Sequence, residues 1–419
     1  MPELPEVEVV KKSLKKIVCL RIKSIEINSV KLRYKLDKTS FLGLINKKIL
    51  SVKRVSKFIL INFSNKKTLI IHLGMTGQLT RTESLSDPYL RAWWELDNRG
   101  KRGIVVDLTT EDGIQVAHKI AASCDVFVTN LTTERQSKFK LRASDLRQDH
   151  PQLIHLTLTG YGNSGPDRDR LAFDHTAFFS RGGVLNIMGE PGQTPPAGRP
   201  GQGDHTTSLA ILSSILLALR ERDLTGEGQD ISVALVHTAI WTMSSDLSVG
   251  LATGEVPGPI MRIETPSPLV GRFRCSDDRW IMLTMPADRY WDRFCGAMGR
   301  LDWLEDPRFA DPETRAQHGP ELMILCDEIF GSADSGVWAE RLDAAGMVWG
   351  LIQNLEEVID DPQSEALRAF EHVPDAKFPF RTVSPPFGLD GSEMSVKGPA
   401  PEHGQHTNEI LLEAGFTPD

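Results

Sequence analysis

The chain has 419 residues, of which 40% are hydrophobic and 25% are charged, and its formal net charge at neutral pH is −8. This length predicts two or three domains with apolar cores of their own. A run of about 18 apolar residues, which a membrane-spanning helix needs, is absent from the sequence. The five cysteines are scattered without a C-x-x-C pair, which argues against a zinc knuckle and against a disulfide framework.

The charge is divided unevenly along the chain. Residues 1–84 contain 18 basic and 6 acidic side chains, a net charge of +12, and 14 of the basic ones are lysines. Residues 85–419 contain 30 basic and 50 acidic side chains, a net charge of −20, and 24 of the basic ones are arginines. Such an asymmetry predicts two units with different partners. We expect a first unit at 1–84, followed by domains at 85–259 and 260–365 and a tail at 366–419.

The first unit begins with a helical pattern and continues as strands. Glu6 to Ile17 has acids first and lysines last, which favours an amphipathic helix. Alternating apolar and polar residues then predict β-strands with short polar turns. These runs are Ile22–Ile27, Leu50–Val55, Phe58–Phe63 and Thr68–Ile71. The N-terminus does not resemble a signal peptide, so we expect a cytoplasmic protein.

Three motifs in the first unit are specific. They are Met1-Pro2-Glu3-Leu4-Pro5-Glu6, Ser56-Lys57-Phe58 and His72-Leu73-Gly74-Met75-Thr76-Gly77. In this order they resemble the N-terminal part of formamidopyrimidine-DNA glycosylases, over about residues 1–83. The resemblance implies that Pro2 is a Schiff-base nucleophile, that Glu3 assists ring opening, and that Lys57 and His72 contact DNA phosphate. It also implies that Met75 fills the gap left by a flipped base.

This resemblance ends near residues 78–83. The rest of that family's β domain, its helix-two-turn-helix domain and its zinc finger have no counterpart in the sequence, which lacks the C-x-x-C pairs of such a finger. We therefore expect no repair activity and at most weak, nonspecific nucleic-acid binding by residues 1–84, driven by their positive charge. The alternative for Pro2 is a proline that only stiffens the N-terminus.

From residue 97 onward, strand and helix patterns alternate, which predicts a parallel sheet with helices on its faces. Thr110 to Ala122 has helical spacing. The runs typical of buried strands are Gly103–Leu108, Asp125–Asn130 and Leu153–Leu158. Ligands bind at the carboxyl ends of such strands, which directs attention to Asn130 and Gly160. Gly160 to Gly165 spells G-x-G-x-x-G, but Pro166 and charged residues follow, so a turn is the better interpretation.

Asp204 follows two glycines and precedes a long apolar stretch. By itself it could be a helix N-cap. A carboxylate there is also kept ionised by the helix dipole and can serve as a covalent nucleophile. Leu209 to Leu219 predicts a buried helix, and Ile231 to Trp241 predicts another packed helix. Farther on, Leu269–Arg274 and Trp280–Met285 predict a strand pair that begins a smaller domain.

Residues from about 92 to 418 resemble class III CoA-transferases. The motifs that carry the resemblance are Asn98-Arg99-Gly100-Lys101-Arg102-Gly103-Ile104, Asp125-Val126-Phe127-Val128-Thr129-Asn130, Thr159-Gly160-Tyr161-Gly162-Asn163-Ser164-Gly165-Pro166, Asp204, Arg222-Asp223-Leu224-Thr225-Gly226-Glu227-Gly228-Gln229-Asp230-Ile231, Asp306-Pro307-Arg308-Phe309 and Pro401-Glu402-His403-Gly404-Gln405-His406-Thr407. Together the two resemblances imply an α/β fold. It has an incomplete doubly wound parallel sheet and a smaller α+β domain, preceded by a strand-rich glycosylase-like β fragment.

The second resemblance implies a reaction. Asp204 is the nucleophile that carries coenzyme A as an aspartyl thioester between an acyl-CoA and a carboxylic acid. Lys101, Asn130 and Lys138 align with the family's CoA contacts; their alternatives are solvated surface for the lysines and a strand-end turn for Asn130. Coenzyme A is a substrate, and neither a metal nor a membrane partner is expected. The resemblance implies an interlocked homodimer; the alternative is that loss of the first strand prevents this threading.

Two departures from that family are visible in the sequence. Its opening strand and the loop that covers CoA have no counterpart, so the sheet would have an exposed edge. Phe173 stands where the racemases of the family place a histidine, which disfavours racemisation. Three hypotheses follow: a CoA-transferase, a DNA-binding or base-excision repair enzyme acting through Pro2, and an accidental chimera that is inactive in both reactions.

Overall fold

The computed structural model describes residue 14 and residues 17–23, 43–55, 58–72, 94–376, 380–392 and 395–417. The chain divides into two compact units, residues 1–99 and residues 100–419. Within the described ranges, no helix combines the length and the apolar character that crossing a membrane requires.

The described part of the first unit is built on an antiparallel sheet. Its strands, in spatial order, are β1 (Ile49–Val55), β2 (Phe58–Phe63) and β3 (Thr68–His72). Ile59, Ile61 and Phe63 are buried at alternate positions of β2, as expected when one face of a sheet covers a core. Leu14 and Leu44 pack into the same core. The structure confirms the three strands predicted between residues 50 and 71, whereas the run at 22–27 lies mostly outside the described residues.

The second unit contains a parallel sheet of three strands. In spatial order these are β4 (Val126–Thr129), β5 (Ile154–Thr159) and β6 (Asp230–Ala234). A π-helix at His175–Arg181 follows β5. The α-helices of this region are α1 (Glu111–Ala122), α2 (Thr133–Lys138), α3 (Ala143–Leu146), α4 (Val184–Met188) and α5 (Gln202–Thr225). The predicted parallel sheet is present with three described strands, and its doubly wound arrangement stays a prediction.

Residues 103–108 do not form the predicted strand. They form no strand or helix, Leu108 lies in a turn, and Val105 is exposed. Instead, Gly103 exchanges hydrogen bonds with His406, whose backbone N–H donates to the Gly103 carbonyl at 2.9 Å. Among the described strands β4 pairs only with β5, so its outer edge is open, and residues 103–108 do not pair with that edge. Apolar composition predicted a strand, but a strand also needs a partner.

The run from Ile231 to Trp241 is not one helix. Its first residues belong to β6, and the helix α6 (Leu235–Thr242) begins only after Ala234. Short apolar runs do not distinguish a buried strand from a buried helix, which is why the prediction failed here. A further helix, α7 (Ser244–Thr253), follows directly.

The smaller region has an antiparallel sheet packed against helices. The sheet consists of β7 (Val270–Arg274), β8 (Trp280–Thr284) and β9 (Trp349–Leu351). Its α-helices are α8 (Trp291–Met298), α9 (Pro312–Gln317), α10 (Gly319–Phe330) and α11 (Ser335–Ala344). Phe273 stacks on Phe330 at 4.5 Å between ring centroids, inside a continuous apolar core. This is the predicted α+β region, and its boundary at residue 260 stays a prediction.

The C-terminal part contains short elements. They are α12 (Leu355–Asp360), α13 (Pro362–Ala366), β10 (Phe370–His372), β11 (Arg381–Val383) and α14 (Thr407–Glu413). Arg102 forms ion pairs of 2.6 Å with both Glu409 and Glu413, which link α14 to the start of the second unit. The hydrogen bond from Arg102 lowers the pKa of Glu413, so this link is favoured when the carboxylate is ionised.

Candidate active site

Asp204 lies in the first turn of the long helix α5. Gly201 is the N-cap, with a left-handed φ of 81°, and Asp204 is the third residue of the helix. The N-cap alternative for Asp204 is therefore wrong. Its side chain is exposed. The first amides of a helix have no acceptor within the helix, and they give this end a partial positive charge. An ionised carboxylate is favoured at such a position.

The direction of α5 fixes which end of the sheet Asp204 approaches. At the last turn of the helix, Arg222 pairs with Asp125 at 3.0 Å and donates to the Gln152 carbonyl at 3.4 Å. Asp125 immediately precedes β4, and Gln152 lies two residues before β5. The C-terminus of α5 therefore lies at the amino ends of the strands, and the N-terminus with Asp204 lies toward their carboxyl ends.

The helix is much longer than the strands on which it packs. Its 24 residues extend about 36 Å, whereas the 6 residues of β5 extend about 20 Å. Because the two elements are aligned at the C-terminus of the helix, the first turn projects past the carboxyl edge of the sheet. Asp204 therefore occupies the side of a parallel sheet where ligands bind in α/β proteins.

The segment that leads into α5 is held by the π-helix. The Asp174 carboxylate is buried and accepts hydrogen bonds from the backbone N–H of Gly201 and of His175, each at 2.8 Å. The imidazole Nδ1 of His175 lies 2.8 Å from Asp174 Oδ1, and its Nε2 lies 3.1 Å from the Gly198 carbonyl. One acid and one histidine thus tie both ends of residues 198–201 to the π-helix.

Two glycines allow the close approach of this segment to the π-helix. A Cβ atom at Gly203 would lie 2.8 Å from Cβ of Phe178 and 3.0 Å from Cβ of Asp174. A Cβ atom at Gly198 would lie 2.7 Å from the ring of Phe179. Both distances are shorter than carbon–carbon contacts in a packed interior. Only glycine fits at these positions with the backbone in this arrangement.

Asn130 lies at the carboxyl end of β4, directly after Thr129, and is exposed. The loop around it is fixed by two hydrogen bonds: Thr129 Oγ1 accepts from the Leu131 N–H at 3.1 Å, and Gln136 donates to the Leu131 carbonyl at 2.8 Å. Gln136 is buried in α2. Asn130 and Asp204 therefore belong to the same end of the sheet, on two elements anchored by buried polar contacts.

The two lysines predicted to contact CoA are both exposed. Lys138 is the last residue of α2, eight positions after Asn130, and its ammonium lies 5.8 Å from the centre of the Phe139 ring. Lys101 precedes the extended segment that contacts His406. The structure thus places Lys138 on the element that follows Asn130.

The strand end at Gly160 is a turn, as predicted. The Gly162 N–H donates to Thr159 Oγ1 at 2.9 Å, and Gly162 has a φ of 101° that favours glycine. The Gly160 carbonyl accepts from the Val236 N–H at 3.0 Å, next to the start of α6. Residues 160–165 contain no helix that could cradle a phosphate.

Most residues predicted for DNA contact lie outside the described residues. These are Pro2, Glu3, Lys57 and Met75. The backbone of His72 is described; it ends β3 and pairs with Phe58. Within the described ranges, no cluster of three His, Cys, Asp or Glu side chains could hold a metal ion.

A separate cavity of 710 Å³ lies along α1. His118, Lys119, Lys140 and His150 line it together with the acids Glu111 and Asp149. Its lining mixes both signs of charge and includes none of the predicted site residues. It is therefore not part of the arrangement around Asp204.

Comparison with known families identifies both parts of the chain. The family model for CoA-transferase family III matches residues 73–407, which is most of the chain. The chain belongs to CoA-transferase family III. The model for the formamidopyrimidine-DNA glycosylase N-terminal domain matches residues 1–110. The predicted fusion of these two families is confirmed, and the two matched ranges overlap at residues 73–110.

This family III chain is similar to curated transferases over most of their length. It is 31% identical to the (R)-2-hydroxy-4-methylpentanoate CoA-transferase of Clostridioides difficile, covering 77% of this chain and 81% of the relative. It is 29% identical to the cinnamoyl-CoA:phenyllactate CoA-transferase of Clostridium sporogenes, covering 77% and 80%. A crystal structure of a CAIB/BAIF family protein from Brucella suis has the same fold, with a TM-score of 0.67 at 24% identity over 77% of this chain and 84% of that one.

Sequence reasoning did not identify the role of Asp174 and His175. The available signal was an acid at the start of an apolar run, Ala177 to Phe179, which predicts an ionisable group at the edge of a core. Its partner Gly201 is 27 residues away, and a contact over that separation depends on the tertiary fold.

Proposed function

We propose that this chain transfers coenzyme A from an acyl-CoA to a carboxylic acid through a thioester on Asp204. The observation that carries the proposal is the exposed carboxylate of Asp204 in the first turn of α5, at the ligand-binding end of a parallel sheet. Membership of CoA-transferase family III supports the same reaction class. The thioester on Asp204 is our proposal.

The first half of the reaction loads the enzyme. A carboxylate oxygen of Asp204 attacks the acyl-CoA carbonyl, and the carbon–sulfur bond breaks to give a mixed anhydride and CoA thiolate. The thiolate then attacks the Asp204 carbonyl carbon. This step forms an aspartyl-CoA thioester and releases the donor acid as a carboxylate.

The second half repeats these steps with the acceptor. The acceptor carboxylate attacks the aspartyl thioester and expels CoA thiolate, giving a second mixed anhydride. The thiolate attacks the acyl carbon of the acceptor, which leaves as the new acyl-CoA and regenerates the Asp204 carboxylate. One activated acyl bond is exchanged for another at each step, so neither water nor a nucleotide is consumed.

Each attack passes through a tetrahedral oxyanion, which needs hydrogen-bond donors fixed in advance. We propose that backbone amides near Asp204 are donors of this kind. We propose that Asn130 and the cations of Lys101 and Lys138 contact CoA, whose phosphates are anionic. Asn130 is supported by its place at the carboxyl end of β4, and Lys138 by the short helix that follows.

An exchange experiment tests the proposal. The purified chain is incubated with an acyl-CoA and an isotope-labelled carboxylic acid, and labelled acyl-CoA is measured. 2-Hydroxy-4-methylpentanoate and phenyllactate are the first acids to try because the names of two relatives contain them. Hydroxylamine or borohydride then traps the adduct, which mass spectrometry assigns to a peptide.

Two variants test whether the trapped adduct is on Asp204. Asp204→Ala should abolish both the exchange and the trapped adduct, a loss of at least about a thousandfold for removal of a covalent nucleophile. Asp223→Ala removes another exposed aspartate at the opposite end of the same helix and should leave both unchanged. An adduct that survives in Asp204→Ala, or a folded wild-type chain that forms none, would refute the proposal.

We also propose that the transferase acts as a homodimer. Leu216, Leu217 and Leu224 of α5 are between 57% and 73% exposed. Apolar side chains on this scale are typical of a surface that another protein covers. A second copy of the chain is the partner that the family resemblance implies.

A second candidate function concerns residues 1–84, which match a glycosylase domain and have a net charge of +12. We propose weak, nonspecific nucleic-acid binding by this part, in which Lys53, Lys66 and Lys67 are exposed. Binding to labelled duplex DNA should weaken steeply as salt rises. Borohydride cross-linking of an abasic-site duplex to Pro2 would instead support a lyase. Inactivity in all these assays would support the accidental-chimera hypothesis.

A further inference from the structure

Asp174 is a buried carboxylate whose two oxygens contact two different segments of the fold. Oδ1 accepts from the His175 backbone N–H and contacts His175 Nδ1, each at 2.8 Å, and Oδ2 accepts from the Gly201 N–H at 2.8 Å. A buried carboxylate is tolerated only when such donors replace its water. The Asp174 carboxylate therefore links the π-helix to the N-cap of α5 through hydrogen bonds.

The Gly201 contact controls where α5 begins. Gly201 is the N-cap, so its position determines the position of the first turn. Asp204 follows three residues later, and Gly203 between them packs directly on Phe178 and on Asp174 itself. A shift of the Asp174 carboxylate would therefore move the backbone that carries Asp204.

His175 adds a second tie to the same segment. Its ring bridges the Asp174 carboxylate and the Gly198 carbonyl, at 2.8 and 3.1 Å. The ring also lies 5.7 Å from the ring of Phe179, between centroids. The imidazole thus holds the segment three residues before the N-cap, while Asp174 holds the N-cap itself.

We propose that Asp174 is a positioning residue for Asp204, and that its carboxylate, supported by His175, sets the orientation of the first turn of α5. The catalytic part of this inference rests on the proposed function of Asp204; the anchoring part does not. A nucleophile displaced by about 1 Å loses roughly a hundredfold in rate. Substrate binding by other residues would change far less.

The test uses Asp174→Asn, which keeps the size of the side chain but replaces one acceptor oxygen with an amide. We expect kcat and the rate of adduct formation on Asp204 to fall about 10- to 100-fold, with KM for acyl-CoA changed less than about threefold. Amide hydrogen exchange in peptides spanning 199–207 should accelerate at least about tenfold, with little change in 208–225.

Asp167→Asn is the matched control. Asp167 lies in the same region, pairs with Arg181 at the end of the π-helix at 3.2 Å and with Arg170 at 3.7 Å, and makes no contact with 198–204 in its ion pairs. Asp167→Asn should leave kcat, KM and amide hydrogen exchange in residues 199–207 unchanged. An equal effect of both substitutions would overturn the proposal, because it would indicate a general effect of charge removal.

The outcomes separate this inference from the proposed function. If the wild-type chain forms an adduct and Asp174→Asn forms it at the same rate, the positioning role is refuted and the proposed function stands. If the wild-type chain forms no adduct, amide hydrogen exchange still tests the anchoring role. Unchanged hydrogen exchange in residues 199–207 of Asp174→Asn would refute that role. If Asp174→Asn does not fold, His175→Ala, which changes a half-exposed side chain, replaces it and should give the same pattern in weaker form.

Discussion

At the scale of single residues, glycine decides where the first turn of α5 can lie. Gly203 and Gly296 are both helical glycines, yet their surroundings differ. A Cβ at Gly203 would collide with Phe178 near its backbone, whereas a Cβ at Gly296 would meet nothing within 4 Å. The sequence shows two glycines in helical patterns. Their difference is visible only from what each one touches.

These two glycines give a matched prediction. Gly203→Ala should lower the free energy of unfolding by about 1–3 kcal/mol, because the added methyl overpacks the contact with the π-helix. It should also slow adduct formation on Asp204. Gly296→Ala should be neutral or stabilising by up to about 1 kcal/mol, since alanine has the higher helix propensity. Urea unfolding of the two variants measures this difference, and equal effects would contradict it.

The local sequence predicted Asp204 as a site residue, but it did not predict that Asp174 and His175 hold the segment before it. An acid after two glycines and before an apolar helix is a recognisable local pattern, and motif order added the family. Asp174 and His175 act across 27 and 23 residues of chain. No local pattern connects positions so far apart, so these contacts required the fold.

At the scale of elements, α5 is oriented by its last turn. Arg222 is mostly buried and joins the C-terminus of the helix to the segments before β4 and β5. The same geometry directs the N-terminus, and Asp204, toward the carboxyl ends of the strands. The C-terminal turn of α5, which Arg222 anchors, is thus opposite to the N-terminal turn, where we propose that Asp204 reacts.

Removal of the Arg222 link should weaken the fold without touching the reacting groups. Arg222→Ala should lower the free energy of unfolding by about 1–2 kcal/mol, a modest value because its partner Asp125 is largely exposed to water. Arg220→Ala, at an exposed position of the same helix, should change it by less than about 0.5 kcal/mol. Thermal or urea unfolding gives both values. A larger effect of Arg220→Ala would contradict the assigned link.

A helix could be predicted from the sequence because its hydrogen bonds are local. A strand could be predicted only where a neighbouring strand is present to pair with it. Helix α1 begins after the N-cap Thr110, whose side chain accepts from the Gly113 N–H, and the sequence placed it within one residue. The strand predicted at 103–108 failed because a strand depends on a neighbour. Among the described strands the sheet consists of β4, β5 and β6, and residues 103–108 instead contact His406 through Gly103.

At the scale of the whole molecule, the second unit leaves apolar surface exposed. Helix α5 has apolar residues around its circumference, which predicted a buried helix, yet only Gly203, Thr207 and Ala218 of its residues are buried. A helix that is apolar on every side needs covering on every side. The described sheet and helices cover one side, which is the physical reason for expecting self-association.

This surface predicts a concentration-dependent assembly. Sedimentation velocity of the wild-type chain should show a dimer at micromolar concentration, and Leu217→Glu should shift it toward monomer while its circular dichroism stays that of a folded chain. Leu217 is 73% exposed, so a charge there leaves the core intact. Ser208→Glu, at an exposed polar position on the opposite side of α5 from Leu217, is the control for added charge and should still dimerise. Identical sedimentation of wild type and Leu217→Glu would refute this interface.

The sequence by itself determined that two families meet in this chain, that the second unit contains a parallel sheet, and that Asp204 opens its longest helix. These properties follow from composition, local periodicity and the order of short motifs. The tertiary structure alone decided that residues 103–108 stay unpaired, that α5 is half uncovered, and that Asp174 and His175 hold the turn of Asp204. Each of these depends on which surfaces and hydrogen-bonding groups find a partner far along the chain, and local sequence does not specify that.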